Sequence, residues 1–455
     1  MTARPSVPAQ RPVSDVSGVT GLLGLGALAA WICLCHFWPQ LVLNFGFPGP
    51  ARRLDGVNAA LAGLVIAAVP MVLYEVLVVK VHRRASTGID WANPRPLGTV
   101  IDGSITKLAG LWATWGLIGA LYCLARWYWH DPYLTAMHVL SYAVLPLFVL
   151  SVPYVLWLDR VLIEPRDPSW HFGALLIGRE PFDPAKVWIH LRAWAVKGFF
   201  TAFMISIVPG GFANLVTPDW SNFFLSPAGV AGLLITLMFV IDEQIGTIGY
   251  ILTMKPLDAQ IRSANPYLAG WVAALLCYPP FQIMGSDRPL FYLGNTYGDD
   301  NWAHVLAGNG PLLWGWAALL VGLTAVYAWA TVAFGIRFSN LTYRGVLTGG
   351  PYAFTRHPAY LSKNLFWWCA SMPFIVSNGS LVEAVRNAFF LGCVSAIYFW
   401  RAKTEERHLL SEDPKYRAYF DWMQARGLIT APLSRLFGAL AGQRQIGSSA
   451  GAPVR

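Results

Sequence analysis

The sequence predicts an all-α, polytopic integral membrane protein with about ten transmembrane helices. Of the 455 residues, 55% are hydrophobic and only 13% are charged, whereas a soluble domain carries about 25% charged residues. The mean hydropathy is +0.46. The 21 Trp, 18 Tyr and 25 Phe residues suit the aromatic belts at the two membrane interfaces. These observations exclude a large soluble enzyme and a disordered chain.

Hydrophobic runs that approach the roughly 20 residues needed to cross the hydrocarbon core mark the predicted spans. Seven precede the polar stretch 287–309 and three follow it. In chain order the predicted spans are 18–44, 57–80, 106–127, 136–158, 194–216, 226–254, 266–286, 310–337, 358–377 and 381–400.

The spans divide the chain into four parts. Residues 1–17 are rich in Pro and Ser and are predicted to form a disordered cytoplasmic arm. Residues 18–309 form an N-terminal transmembrane region of unknown role. Residues 310–430 form a membrane core that carries the motifs described below, and residues 431–455 form a flexible basic tail.

The net charge of +9 follows the positive-inside rule, which predicts a surplus of Lys and Arg on the cytoplasmic side. With the N-terminus inside, about 27 of the 33 basic residues fall on one side. We therefore expect a multi-pass protein with both termini cytoplasmic, and the bias favours a bacterial inner membrane. The expected partners are membrane lipids and a small-molecule or lipid substrate. Nucleic acid and an obligate protein partner are not expected, because the chain has no RNA-binding signature or basic amphipathic arm.

Two features of the apolar spans could carry function. Asp242-Glu243-Gln244 lies within an otherwise apolar span, where ionisable side chains cost several kcal/mol unless they are paired or hydrated. These carboxylates could contact a substrate headgroup or form a buried pair satisfied by a neighbouring helix. The glycines of Gly21-Leu-Leu-Gly24-Leu-Gly26 resemble a nucleotide-binding loop, but no strand precedes them, so helix packing is favoured.

Two motifs flank the last two predicted spans. The first contains Gly350-Pro351-Tyr352, Arg356-His357-Pro358 and Tyr360. Pro358 suits the first position of a helix, where a missing N–H costs nothing. The free N–H groups and the dipole at that helix N-terminus favour an anionic group beside Arg356 and His357. The second motif, after the last span, includes Arg401 and Glu405, which share a helix face, and Glu406.

The two motifs together resemble those of the isoprenylcysteine carboxyl methyltransferase and phospholipid methyltransferase-like families, over about residues 310–430. The resemblance implies a site for S-adenosylmethionine at the cytoplasmic membrane face and no metal. Arg401 would face the substrate and the methyl-transfer centre. Asp242, Glu243, Arg356 and Glu406 are candidates for substrate-binding or structural roles. The implied cofactor-binding residues are Arg344, Gly345, Val346, Leu347, Tyr352, His357, Pro358, Tyr360 and Glu405.

The resemblance implies a membrane-embedded S-adenosylmethionine-dependent methyltransferase that acts on a lipophilic or membrane-partitioned acceptor. Two alternatives stay open. An NADPH-dependent membrane sterol or lipid reductase shares the same C-terminal architecture, although this chain has Ala359 where those reductases typically have Asn. A non-catalytic transporter or lipid-binding protein would account for Asp242 and Glu243 in mid-membrane.

Overall fold

A computed structural model describes residues 10–178, 181–285, 288–293, 300–376, 380–432 and 434–435. Within these ranges most residues are helical and almost none are in strands. One short antiparallel pair joins β1 (Ser263–Ala264) to β2 (Thr342–Tyr343), with Ser263 opposite Tyr343. The helices are α1 (Gly18–Phe45), α2 (Val57–Leu73), α3 (Leu97–Ala125), α4 (Leu134–Val161), α5 (Pro168–Ile177), α6 (Pro184–Val216), α7 (Pro227–Ile251), α8 (Leu268–Leu275), α9 (Asn301–Val305), α10 (Gly310–Phe334), α11 (Pro358–Ser371), α12 (Leu381–Glu412) and α13 (Pro414–Arg426).

Eight helices of the described part are long and apolar enough to cross a membrane, as the all-α membrane class requires. They are α1, α2 with its continuation to Val79, α3, α4, α6, α7, α10 with its continuation to Arg337, and α12. The two remaining predicted spans, 266–286 and 358–377, contain α8 and α11. At 1.5 Å per residue, these helices are about 12 and 21 Å long and fall short of the roughly 30 Å hydrocarbon core.

Prolines lie just beyond the ends of both short helices, and a proline removes a helical hydrogen bond and can end a helix, although α1, α2, α4 and α6 continue through theirs. Pro279-Pro280 lies within the first segment, and Pro373 follows the left-handed C-cap of α11 at Met372. The segments 266–286 and 358–377 nevertheless run from one end of the helix bundle to the other. Ser263 pairs with Tyr343 at one end, and the Asn301 amide donates to the Ser371 carbonyl oxygen (2.8 Å) at the other.

One end of the bundle, called here the cavity end, gathers the start of α1, the ends of α7 and α10, and the last turns of α12. A Cβ on Gly21 would overlap the Val332 carbonyl oxygen, so α1 and α10 come close only because this residue is glycine. The helix-packing interpretation of the Gly21 motif therefore holds. Ser263 Oγ lies 2.9 Å from His408 Nε2 and ties β1 to α12.

Several helices begin where a capping side chain is followed by proline, which satisfies one free N–H and presets the first helical residue. The pairs are Asp167-Pro168 at α5, Asp183-Pro184 at α6, Ser226-Pro227 at α7 and Asp413-Pro414 at α13. The cap at Asp183 starts α6 ten residues before the predicted span, because a polar first turn extends it beyond the apolar run.

Helix α12 has 32 residues and is therefore about 48 Å long. It continues for twelve residues beyond the predicted end of the last span at residue 400. The second motif therefore lies on an unbroken extension of a spanning helix, and α13 folds back after it.

The predicted N-terminal arm differs from expectation where it is described. Residues 10–17 lie against the cavity end, and the Asp15 side chain accepts a hydrogen bond from the Val346 N–H (2.7 Å). They are therefore not a free arm, because polar partners at the cavity end hold them. Residues 1–9 and most of the predicted tail 431–455 lie outside the described residues.

Candidate functional site

A cavity of about 170 Å³ lies at the cavity end and opens to solvent. The loop before α11, the first turn of α11 and the last turns of α12 line it. The sequence-predicted residues in its wall are Asp242, Arg344, Gly345, Val346, Leu347, Tyr352, Arg356, His357, Tyr360, Arg401 and Glu405. Pro358, Glu243 and Glu406 do not line it.

The two motifs meet in the wall of this cavity. The Tyr360 hydroxyl on α11 donates to Glu405 Oε1 on α12 (2.5 Å). Arg401, one turn before Glu405, donates through Nε to the same oxygen (3.3 Å). One carboxylate oxygen therefore receives a phenol and a guanidinium, which fixes the Glu405 side chain at the cavity surface.

Arg401 is only 2% exposed and is held from several sides. Its Nη2 donates to Asn340 Oδ1 (2.6 Å). Its Cζ lies 5.0 Å from the ring centre of Tyr360 and 5.5 Å from that of Tyr278. A guanidinium held between aromatic faces and a carboxylate is a rigid, preoriented charge.

The adjacent Glu406 turns away from the cavity, since successive helix residues point about 100° apart. Its Oε1 accepts from Arg356 Nε (2.7 Å) and lies 3.1 Å from His357 Nε2. Its Oε2 accepts from Lys403 (2.8 Å). Glu406 therefore fixes the start of α11 against α12 and has a structural role.

One hydrogen-bond donor of Arg356 is unpaired beside the cavity. Its Cζ lies 4.0 Å from the ring centre of Phe420 on α13, and its Nη1 is buried with no hydrogen-bond partner among the described residues. Pro358 is the first residue of α11 and sets the helix N-terminus beside this donor. A cation and a helix N-terminus together favour an anionic group.

The Arg344 side chain is bound to the protein itself. Its guanidinium donates to the carbonyl oxygens of Gly249, Leu252, Ala259, Ile336 and Phe338. It thereby satisfies carbonyls at the ends of α7 and α10 that those helices leave unpaired. The side chain of Arg344 is therefore not free to bind a ligand.

The next residues face the N-terminal segment. Gly345 has φ +111°, and a Cβ there would lie 3.3 Å from the Asp15 side chain, so glycine is required on both counts. The Val346 N–H donates to Asp15 Oδ2 (2.7 Å), and the Asp15 N–H donates to the Val346 carbonyl oxygen (2.8 Å). Asp15 thus takes the backbone groups of Val346 that the family resemblance assigns to the cofactor.

The inner end of the cavity reaches membrane depth. Asp242 on α7 accepts hydrogen bonds from the hydroxyls of Tyr327 (2.7 Å) and Thr331 on α10. The Lys363 ammonium lies 4.9 Å from the ring centre of Tyr327. Glu243 points the other way, toward Gly211 on α6. Asp242 therefore belongs to the cavity and Glu243 does not.

Tyrosines outside the spans contribute neutral hydroxyls. Burial raises the pKa of Tyr352 well above its ordinary value. Burial, and then the hydrogen bond to Asp413, raise the pKa of Tyr343. Both side chains therefore remain protonated at physiological pH, and the Tyr343 hydroxyl donates to Asp413.

Sequence reasoning missed several residues of the wall: Val16, Tyr278, Tyr327, Asn340, Lys363 and Tyr398. A signal existed for Lys363, because a lysine within an apolar span is costly and calls for a role. Tyr278 and Tyr398 carry no local signal, since aromatic residues are common throughout the chain.

The fold and the cavity define a helical membrane protein with a charged and aromatic pocket at one end of its bundle. Comparison with protein-family models, curated proteins and solved structures finds no match to this chain.

Proposed function

We propose that the protein is an S-adenosylmethionine-dependent methyltransferase that acts on a lipophilic or membrane-partitioned acceptor. The observation that carries the proposal is the contact between Tyr360 and Glu405 (2.5 Å). It joins the two motifs on which the family resemblance depends, in the wall of one cavity.

The residues present suit the charges of S-adenosylmethionine. Glu405 and the rings of Tyr352 and Tyr360 offer a carboxylate and electron-rich faces to a sulfonium and an amine. The free Nη1 of Arg356 and the start of α11 offer donors to the amino-acid carboxylate. Opposite charges on the ligand thus have separate partners in the cavity wall.

Bound S-adenosylmethionine would supply an already activated methyl group, so the protein must orient the reactants and exclude water more than supply a strong base. Arg401 suits an orienting role, because it is buried and held by Asn340 and Glu405. His357 stacks on Tyr360, with ring centres 5.7 Å apart, and keeps that ring in place.

The acceptor would reach the inner end of the cavity from the membrane, where Asp242, Tyr327 and Lys363 lie. S-adenosylmethionine would enter from water at the cavity end. By the positive-inside rule the cavity end would face the cytoplasm, and the same bias suits a bacterial inner membrane.

Charge pairing favours this proposal over a dinucleotide reductase. The phosphates of a dinucleotide need more donors than the start of α11 and the free Nη1 of Arg356 offer, because the other arginines of the cavity wall are engaged. Arg337 pairs with Asp258 (3.1 Å), and Arg344 is held by backbone carbonyls. Asp242, the best support for a transporter, faces the same cavity and is already hydrogen-bonded.

Thermal unfolding of the detergent-purified protein tests the proposal. We expect stabilisation by S-adenosylhomocysteine, about 2.7 kcal/mol at 100 times its dissociation constant, and none by NADP(H). Glu405→Gln should remove the response. Glu412→Gln, the matched change two turns further along α12, should keep it. Stabilisation by NADP(H) alone would indicate a reductase. No change in thermal stability with either ligand would favour a non-enzymatic role.

A further inference from the structure

Residues 10–17 have no regular secondary structure, yet polar contacts tie them to two walls of the cavity. Thr348 Oγ1 donates to the Pro12 carbonyl oxygen (2.7 Å). Arg11 lies over the ring of Trp422 on α13, with Cζ 5.9 Å from its centre. The segment therefore bridges the loop before α11 and helix α13.

Asp15 is the centre of this bridge. Its carboxylate accepts from the Val346 N–H (2.7 Å) on one side and from the Lys415 ammonium (2.5 Å) on the other. Its carbonyl oxygen accepts from Arg337 (2.7 Å) and Arg84 (2.8 Å). One residue thus connects α13, the end of α10 and two loops.

The segment has an inner and an outer face. Val16 is 7% exposed, packs with Ala333 and Leu347, and lines the cavity. Val13 is 81% exposed. The inner face is therefore part of the cavity wall while the outer face meets solvent.

Few apolar contacts hold the segment, since Val16 is its one buried hydrophobic residue. A segment held mainly by polar contacts at the surface opens at lower free energy than the packed helices beneath it. Release of Asp15 would free the segment and leave the bundle intact.

We propose that residues 10–17 are a strap that closes the mouth of the cavity, with Asp15 as its latch, and that ligand exchange requires the strap to open. The inference rests on the proposed function only for the identity of the ligand. The docked strap would narrow the mouth of the cavity and slow both association and dissociation.

A cysteine at position 16 reports the opening without any ligand. In Val16→Cys protein, a membrane-impermeant maleimide should react slowly, because the thiol faces the cavity. Adding Asp15→Ala should raise the rate at least tenfold, and adding Lys415→Met instead should raise it in the same direction. Asp102→Ala, at an exposed aspartate of α3, should leave the rate unchanged. Labelling of the exposed thiols of Cys33 and Cys123 is measured in protein that keeps Val16 and is subtracted.

The same proteins separate the strap from the proposed function. S-adenosylhomocysteine should slow labelling at position 16. In stopped-flow experiments, Asp15→Ala should raise the dissociation rate of S-adenosylhomocysteine at least tenfold. Equal labelling with and without Asp15 would overturn the strap. Labelling that depends on Asp15 but not on S-adenosylhomocysteine would support the strap and count against the methyltransferase. If Val16→Cys does not fold, Ser14→Cys serves as the reporter, since Ser14 Oγ lies 3.5 Å from the Thr348 N–H nitrogen.

Discussion

The Tyr360 hydroxyl oxygen lies 2.5 Å from Glu405 Oε1, although 45 residues separate the two along the chain. Next to this contact, Glu406 holds Arg356 and His357 at the start of α11. Two adjacent carboxylates therefore have different tasks: Glu405 presents charge to the cavity, and Glu406 fixes the helix that forms its wall.

The different roles of Glu405 and Glu406 predict different effects for two conservative substitutions. Glu406→Gln should lower the free energy of unfolding by about 2–3 kcal/mol, because it leaves the buried Arg356 without its carboxylate. Glu405→Gln should cost less, about 1 kcal/mol, because the Glu405 side chain is 21% exposed and its contact with Arg401 is longer (3.3 Å), but it should remove S-adenosylhomocysteine binding. Unfolding in detergent without ligand measures the first effect. Equal destabilisation by both changes would contradict the division.

Arg344 should tolerate no replacement by lysine. A lysine keeps the charge but lacks the planar fork that reaches five carbonyl oxygens, so several would lose their partner. We expect Arg344→Lys to destabilise the protein by about 3 kcal/mol or more, as measured by its unfolding temperature. Arg407→Lys, at an exposed position of α12, is the matched control and should change stability by less than about 0.5 kcal/mol. A similar small change at Arg344 would refute the structural role.

Asp242→Asn should alter acceptor use more than cofactor affinity, because Asp242 lies at the inner end of the cavity. The measurement is the initial rate of methyl transfer to lipophilic carboxylate, amine and thiol acceptors, beside the affinity for S-adenosylhomocysteine. Glu243→Gln changes the neighbouring carboxylate outside the cavity and should leave the acceptor profile unchanged. An unchanged profile in Asp242→Asn would argue against contact with the acceptor.

Acid should release the strap. Burial opposes ionisation of Asp15, but the hydrogen bonds from Lys415 and the Val346 N–H outweigh it, so the pKa of Asp15 lies below its ordinary 3.8. Arg84, Arg262, Arg337 and Asp258 complete the charges around it. A lowered carboxylate pKa stabilises docking above pH 3.8, and this contribution is lost as pH falls through the lowered value.

A nitroxide label on Val13→Cys can follow this release, because position 13 is exposed. Label mobility should stay constant from pH 8 to pH 5 and rise only below the ordinary pKa of Asp15. In Asp15→Ala protein the mobility should be high at every pH. A transition near neutral pH would show that another group controls the strap.

The sequence anticipates the membrane class and most of the spans, because apolar length is local information. It also signals helix starts such as Asp183-Pro184 and Asp413-Pro414, where capping and proline act within a few residues. It overstates the spans at 266–286 and 358–377, where α8 and α11 end a few residues before Pro279-Pro280 and Pro373.

The candidate site is anticipated in part for the same reason. Glu405 and Tyr360 follow from motifs, whereas the roles of Lys363 and Asn340 depend on how α10, α11 and α12 pack. The division between Glu405 and Glu406 becomes visible only once α12 has a fixed rotation. Asp15 lies 331 residues from Val346, and no local pattern predicts that pairing.

The unbroken length of α12 couples the site to the surrounding lipid. A spanning helix that is longer than the hydrocarbon thickness tilts, and its tilt changes with bilayer thickness. Because α12 is one continuous helix, a change in its tilt also moves Arg401 and Glu405. Helix α11 is too short to span the bilayer, so its position is set by the helices packed against it. A change in acyl-chain length is therefore expected to change the distance across the pocket between these two helices, so that the bilayer acts on the site mechanically.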